Sequence, residues 1–434
     1  MARQLQGARK RIRIPRRILI ASLLIQDPTS AIDDGAAGEP VARRTRSRRR
    51  AAATALNRLP EEIVAWEIFI RLPAKDVIRC HAVCRSWRWL ASNPDFLVAH
   101  HRWQPSLPLV TFDRRIANSS KESGHPILER RRGRPVIALD DYFDNNGFKL
   151  HASCDGLLLL AMSDGRFSIC NPATRECASL SSLTAAGTIN ILALYLHRPL
   201  GKYRVLYSKG RHHAKAAAYY IVLTVGRRGS PRSIGVPSDS PAMEKAMLAV
   251  HKMIDIYLPP PVTFHNYLHS LLGWLCNVDI VVFDTVVESF RSMCGPPDAT
   301  SCCTQLCDME GSIGFSCLDE KGTVARIWVL EDYEREIWSF KYHVKFPVED
   351  FCHFTDTRHF ILSCKGDVLV YNTSACYMFH CDNTGKLLEE FRWEPRSQGL
   401  HDIGHMFKES LVEHEFFLRR GAGRAGQPSF FKGI

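Results

Sequence analysis

Three stretches in the C-terminal half of the chain, DIVVFDTVVESF, TVARIWVLEDYEREIWSF and DVLVYNTSACYMF, each read as strand, polar turn, strand. β-branched and aromatic residues fill the strands, and the turns fall near Thr285, Asp332 and Thr373, 47 and 41 residues apart. A spacing of about 40 to 50 residues is that of a four-stranded propeller blade. Shorter runs of the same texture precede them: GRFSICNPATREC, with Phe167 and Ile169 on one face before the Asn171-Pro172 turn, then KYRVLYSKG and YYIVLTVG. Dividing the chain from Trp103 to Leu411 by that period predicts about six or seven blades. A pair of β-sandwiches is the competing architecture, because residues 185–260 are too irregular to phase.

Upstream the period changes. LPEEIVAWEIFIRLPAKDV, Leu59 to Val77, says leucine-proline twice and seats a Trp, a Phe and three Ile between the two. Pro60 suits a first helical turn, and Glu61 and Glu62 suit the positive end of its dipole. Ile63, Trp66, Phe69 and Ile70 follow at helical intervals, with Val64 and Ile68 widening the stripe, until Leu72-Pro73 stops the helix. A second short helix is predicted from about Lys75 through Cys80, and a third carries Val83, Cys84, Trp87 and Leu90 before Asn93-Pro94. Some forty residues in three helices bury too little surface to enclose so many apolar groups, so the remainder is expected to meet a partner.

The formal charge of +12 tests for nucleic-acid binding. Residues 1–55 hold 13 Lys/Arg against 4 acids, a net +9, which leaves +3 for everything else. Basicity thus belongs to a predicted disordered tail, residues 1–54, and the near-neutral body weakens the case for a phosphate-binding domain. The run from Arg43 to Arg50 is either a solvated tail or a nuclear-import or polyanion patch. Ile18 to Ile25, ILIASLLI, has the shape of a signal-peptide core, but eight residues fall far short of the roughly 20 that span a bilayer. Fifteen irregularly spaced Cys point to reduced thiols and a cytoplasmic or nuclear protein.

The segment from Leu59 to Phe96 resembles an F-box, the module that ties a substrate receptor to the Skp-type adaptor of a Skp-cullin-F-box ubiquitin ligase. Leu59, Pro60, Ile63, Ile68, Leu72, Pro73, Asp76, Val77, Arg79, Val83, Cys84, Trp87 and Phe96 carry the match. Downstream, SCDGLLLL, ICNPATRE, KYRVL, VFDTVVESF, IWVLEDYEREIW and HMFKESLV resemble, in order, the F-box-associated region of plant F-box proteins. KYRVL lacks the usual upstream GFD element, and Ala242 to Leu258 reads like an inserted helix. The resemblance implies an α+β multidomain chain: a basic tail (1–54), a small three-helix F-box (55–101), an all-β propeller-like domain (102–413) and a flexible tail (414–434). It implies adaptor binding through Leu59, Pro60, Ile63, Ile68, Leu72, Pro73, Val77, Val83, Cys84 and Trp87. Through the adaptor comes a cullin, and the β domain takes an unknown protein substrate.

Adaptor binding of this kind rests on apolar burial, at about 25 cal/mol per Å², so these residues act by shape and none must ionise. No catalytic residue, cofactor, metal or membrane is expected. GAGRAG, Gly421 to Gly426, satisfies G-x-G-x-x-G, yet eight residues cannot supply the helix and strand that must follow. Cys294, Cys302, Cys303 and Cys307 contain one C-x3-C pair but no second, which reads as a loop of thiols. His265 with His269, and Cys80 with Cys84, share a face and read as packing pairs, His269 beside Trp274 and Cys84 in the helical core. The alternative function is a nucleic-acid or chromatin adaptor that binds phosphate through the Arg-rich tail.

Overall fold

The computed structural model describes residues 17–20 and, with interruptions, 60–417; the longest interruptions are 113–133 and 235–258. Among the described residues there are six four-stranded antiparallel sheets. Five are meanders of strands consecutive in sequence: β4–β7 (Phe148–Cys154, Leu157–Met162, Phe167–Asn171, Glu176–Ser179), β8–β11 (Thr188–His197, Lys202–Gly210, Tyr219–Thr224, Pro231–Ser233) and β12–β15 (Val262–Phe264, Tyr267–Leu271, Asp279–Asp284, Phe290–Cys294). β16–β19 (Thr304–Asp308, Ile313–Leu318, Val324–Asp332, Ile337–Lys345) and β20–β23 (Thr357–Ile361, Val368–Asn372, Tyr377–Cys381, Leu387–Arg392) complete the set. The sixth joins the two ends of the chain in the order β24-β2-β1-β3, with β1 Arg17–Ile20, β2 Leu107–Phe112, β3 Arg134–Ala138 and β24 Leu400–Phe407. This is the closure a ring of blades requires, since one sheet is built from strands near both ends of the described chain.

Strand alternation explains the packing. On β14, Ile280 and Val282 pack with Phe315 and Trp328 of the following blade, while Phe283 packs with Tyr195 and Leu206 of the preceding one. Each inner sheet therefore buries both faces, and β17 is buried at all six positions. A sandwich would leave one face of each sheet to solvent, and the propeller reading is the one that stands.

The repeat lies in the connection between the third and fourth strands. Asn171, Asp284, Asp332 and Asp382 each open that turn, and each Oδ1 accepts from the backbone N–H two residues on at 2.7 to 3.1 Å. Three of the turns then place a non-glycine residue four positions later in the left-handed region: Arg175 (φ 60°), Glu288 (φ 58°) and Glu336 (φ 56°). From Asp284 to Asp332 to Asp382 the spacings are 48 and 50 residues. Of the expected turns, Thr285 and Asp332 fall in this repeat; Thr373 lies outside the described residues, between β21 and β22, one strand early.

The helical module differs from its sequence reading in two respects. Glu61–Ile63 opens an α-helical turn, Val64–Ile68 is a π-turn and Phe69–Arg71 a 3-10 turn. The Phe69 N–H reaches the Val64 carbonyl, five residues back, so Val64 and Ala65 share a buried face with Phe69 and Ile70 while Ile63 and Trp66 turn outward. Ala74–Cys80 and Arg85–Ala91 follow, and then a further helix, Pro94–Trp103. Asn93-Pro94 starts a helix as well as ending one: Asn93 Oδ1 accepts from the Asp95 and Phe96 N–H groups, and proline is well placed at the first helical position.

The tail boundaries also shift. Arg17–Ile20, inside the stretch expected to be disordered, is a strand paired with β2 and β3; the rest of 1–54 lies outside the described residues, as does the expected helix at 242–258. Past residue 413, His414 stacks on Phe416 at 5.1 Å, and Phe416 and Phe417 pack against the core of the first two blades. Residues 418–434 lie outside the description, the Gly421 to Gly426 motif with them.

Candidate adaptor-binding surface

The core of the helical module is Val64, Ala65, Phe69, Ile70, Ala74, Val77, Leu90, Ala91, Phe96 and Leu97, joined by Leu411 from beyond the last strand. Of the residues expected to meet an adaptor, Pro60, Ile63, Pro73, Val83 and Cys84 are exposed. Ile68, Leu72 and Trp87 are half-buried against the core, with Trp87 edge-on to Phe69 at 4.9 Å. Val77 has 0% exposure, so it shapes the surface from behind, and Leu59 lies outside the described residues. Cys84 does not sit in the core: it caps Arg85–Ala91, its Sγ accepting from the Trp87 N–H at 3.4 Å.

Further apolar side chains of the module are exposed, among them Trp89, 66% exposed, Trp66 and Ile78. The helical spacing that put Trp66 in one stripe with Phe69 and Ile70 did not separate it from them, because the π-turn shifts the register by one residue. Trp89 follows Trp87 and Arg88, and on a helix neighbours in sequence point to different sides. With Val83 at 62%, an already filled module leaves large apolar groups exposed to solvent.

The other side of the module is occupied. Leu72 is extended ahead of Pro73, and its carbonyl accepts from His100 Nε2 at 2.8 Å and Gln104 Nε2 at 3.1 Å. Pro73 offers no side-chain cap to the next helix; the Ala74 N–H is capped instead by Glu409 Oε2 at 2.9 Å, 335 residues away. His101 Nδ1 donates to the Glu409 carbonyl at 2.8 Å, and Lys408 Nζ to the Arg102 carbonyl at 2.7 Å. On the propeller side Asn171 Nδ2 donates to the Ser410 carbonyl at 3.0 Å, and the Tyr203 hydroxyl to Asp155 Oδ2 at 3.1 Å. Burial alone would raise the Asp155 carboxyl, but hydrogen bonds from His101 and Tyr203 hold it below the usual carboxylate value.

Elsewhere the thiols and imidazoles have packing roles. Cys307 is buried, and burial pushes its thiol up; Cys302 and Cys303 lie outside the described residues. His265 sits exposed in a left-handed turn, φ 54°, and so does not share a packed face with His269. His269 is buried and meets the Tyr333 hydroxyl at 2.9 Å, while Trp274 is outside the described residues. Among the described residues, no group of three His, Cys, Asp or Glu is placed to hold a metal, and no helix is long and apolar enough to cross a membrane.

A helical module that displays unused apolar groups, seated on a ring of blades, defines a protein built for contact with other proteins. Residues 56–101 match the F-box-like family and residues 138–395 the F-box associated beta propeller domain family, and the chain belongs to the F-box proteins that carry this propeller. Among its relatives in Arabidopsis thaliana, F-box protein At3g57590 is 23% identical over 84% of this chain and 92% of its own length. F-box protein At5g49610 is 24% identical over 64% of this chain and 77% of its own length. Putative F-box protein At3g16210 is 29% identical, but the match covers 27% of this chain and 31% of that protein.

Proposed function

We propose that this protein is a non-catalytic substrate receptor of a Skp-cullin-F-box ubiquitin ligase, with the F-box on a Skp-type adaptor, a cullin behind it, and a target protein on the propeller. The observation that carries the reading is the set of exposed apolar side chains, Ile63, Trp66, Ile78, Val83 and Trp89, on a module whose own core is already filled. Covering such groups is what drives association, and a few large aromatic anchors usually hold most of the binding energy.

In that role the chain supplies proximity. A lysine amine of the bound target attacks the thioester carbonyl of ubiquitin on a conjugating enzyme. The isopeptide bond forms as the carbon–sulfur bond breaks, and the enzyme's thiol leaves with the proton the amine gives up. The receptor raises the effective concentration of that lysine and needs no reagent of its own.

Co-expression with a Skp-type adaptor and a cullin, followed by affinity purification at matched salt, tests the reading. Wild type is expected to retain both, and a Val83→Asp, Trp89→Ala variant to retain neither while its propeller stays folded. A folded wild type that captures no adaptor would overturn it. The Arg43 to Arg50 run, which lies outside the described residues, is proposed as a nuclear-import signal. Its replacement by alanine should move the protein to the cytoplasm and spare adaptor capture; unchanged nuclear location would refute the signal.

A further inference from the structure

The segment Lys408 to Val412 belongs to neither domain alone. Glu409 caps an F-box helix and receives His101 at its carbonyl. Ser410 next to it receives Asn171 of the first blade at its carbonyl, and Leu411 enters the F-box core. The β4–β5 hairpin presses on the same residue: a Cβ added to Gly156, at φ +82°, would lie 2.4 Å from the Ser410 Cβ and 2.9 Å from its backbone nitrogen. Only a glycine meets both conditions at once, a left-handed backbone and a side-chain-free approach.

Four of the six downstream segments that carry the family resemblance meet here: CDG at 154–156, Asn171 of NPATRE, Tyr203 of KYRVL and the KESLV strap. Two come from the first blade, one from the second and one follows β24, yet each contributes to the surface that receives the F-box. A flexible connection would need none of this.

We propose that the 408–412 strap is a clamp that fixes the F-box on the propeller in a single orientation, and that Glu409 and Leu411 are positioning residues for ubiquitin transfer. This use of the clamp rests on the ligase reading above. Its consequence is geometric: with the F-box held by the adaptor, the rigid seam sets where a lysine on the propeller side stands relative to the loaded conjugating enzyme. Transfer falls off steeply when the reacting groups are misplaced by even an ångström or so.

The test uses the full chain, free and with a Skp-type adaptor, carrying spectroscopic probes at two exposed positions, Asp95 on the F-box and Lys341 on the propeller. Wild type should give one narrow distance distribution in both states. The Glu409→Ala, Leu411→Ala variant should lose that single peak, broadening it while the propeller stays folded. If removing Leu411 from the core unfolds the F-box, Glu409→Ala alone, which leaves the core intact, carries the same expectation. A distribution as narrow as wild type in Glu409→Ala and in any folded double variant overturns the clamp.

The second readout is ubiquitin transfer to the receptor's own lysines in a reconstituted ligase, mapped by mass spectrometry. A clamped receptor restricts modification to a few lysines; the released one should spread it to others at equal adaptor occupancy, and an unchanged map overturns the positioning role. Wild type failing to bind adaptor refutes the ligase reading instead, and the distances in the free chain still decide the clamp.

Discussion

Arg204 and Glu288, 84 residues apart on neighbouring blades, form an ion pair across the seam between them, with side-chain exposures of 12% and 3%. The Tyr195 hydroxyl donates to the same carboxylate at 2.8 Å, and the left-handed turn residue Glu288 is thereby locked inward. Glu288→Ala would leave the Arg204 charge buried without its partner, which should cost about 3 to 5 kcal/mol. The midpoint of urea unfolding checks it, and a change below about 1 kcal/mol would show that water or another group takes over the pairing.

The F-box side chains should divide by burial. Val77→Ala removes methyl groups from a closed core and is expected to cost about 2 kcal/mol of stability in the helical module. Trp89→Ala removes an exposed ring, so stability should stay within about 0.5 kcal/mol while adaptor affinity falls. Thermal unfolding beside an equilibrium binding measurement separates the two; equal stability losses would contradict the division.

Acid should loosen the protein well above the carboxylate range. Burial lowers His269, His405 and His414 from 6.5 to about 4, so the folded chain keeps them neutral where the unfolded chain binds protons. The unfolded state therefore holds more protons between about pH 6.5 and 4, and stability falls with decreasing pH across that window. The upper limit is about 1.4 kcal/mol per pH unit for each histidine. Urea midpoints at pH 7, 6 and 5 should decline in step, and a flat profile would mean that these imidazoles are solvated.

Asp284→Ala should weaken one blade hairpin. The carboxylate accepts from the Val286 and Val287 N–H groups at 2.7 and 3.0 Å, and alanine would leave both donors without that acceptor. A loss of about 1 to 3 kcal/mol is expected, whereas Val287→Ser, at an exposed turn position, should change little. Hydrogen exchange of the β14–β15 amides would locate the loosening.

Local chemistry made much of this legible. Period-two apolar runs broken by Asn and Asp turns announced the blades, and the Leu-Pro corners announced short helices, because both follow from backbone sterics and side-chain alternation between near neighbours. The Thr373 turn was out of phase because the strand-turn-strand form looks the same at any hairpin; it is the shared Oδ1 acceptor that makes Asp284, Asp332 and Asp382 equivalent. The π-turn was hidden for a similar reason, since one extra residue per turn leaves no mark on composition.

By itself, then, the sequence determined the kinds of element, the blade period and the family of the helical module, all of them set by contacts between residues close along the chain. Tertiary structure alone decided how the ends meet: β1, from ahead of the F-box, lies between β2 and β3, and β24 closes the ring on β2. It also decided that Glu409 would cap Ala74 and that Leu411 would complete a core more than 300 residues upstream. Nothing periodic encodes such pairs, because a carboxylate or a leucine has the same local preferences whether its partner is four residues away or 335, and only the folded chain brings the two together.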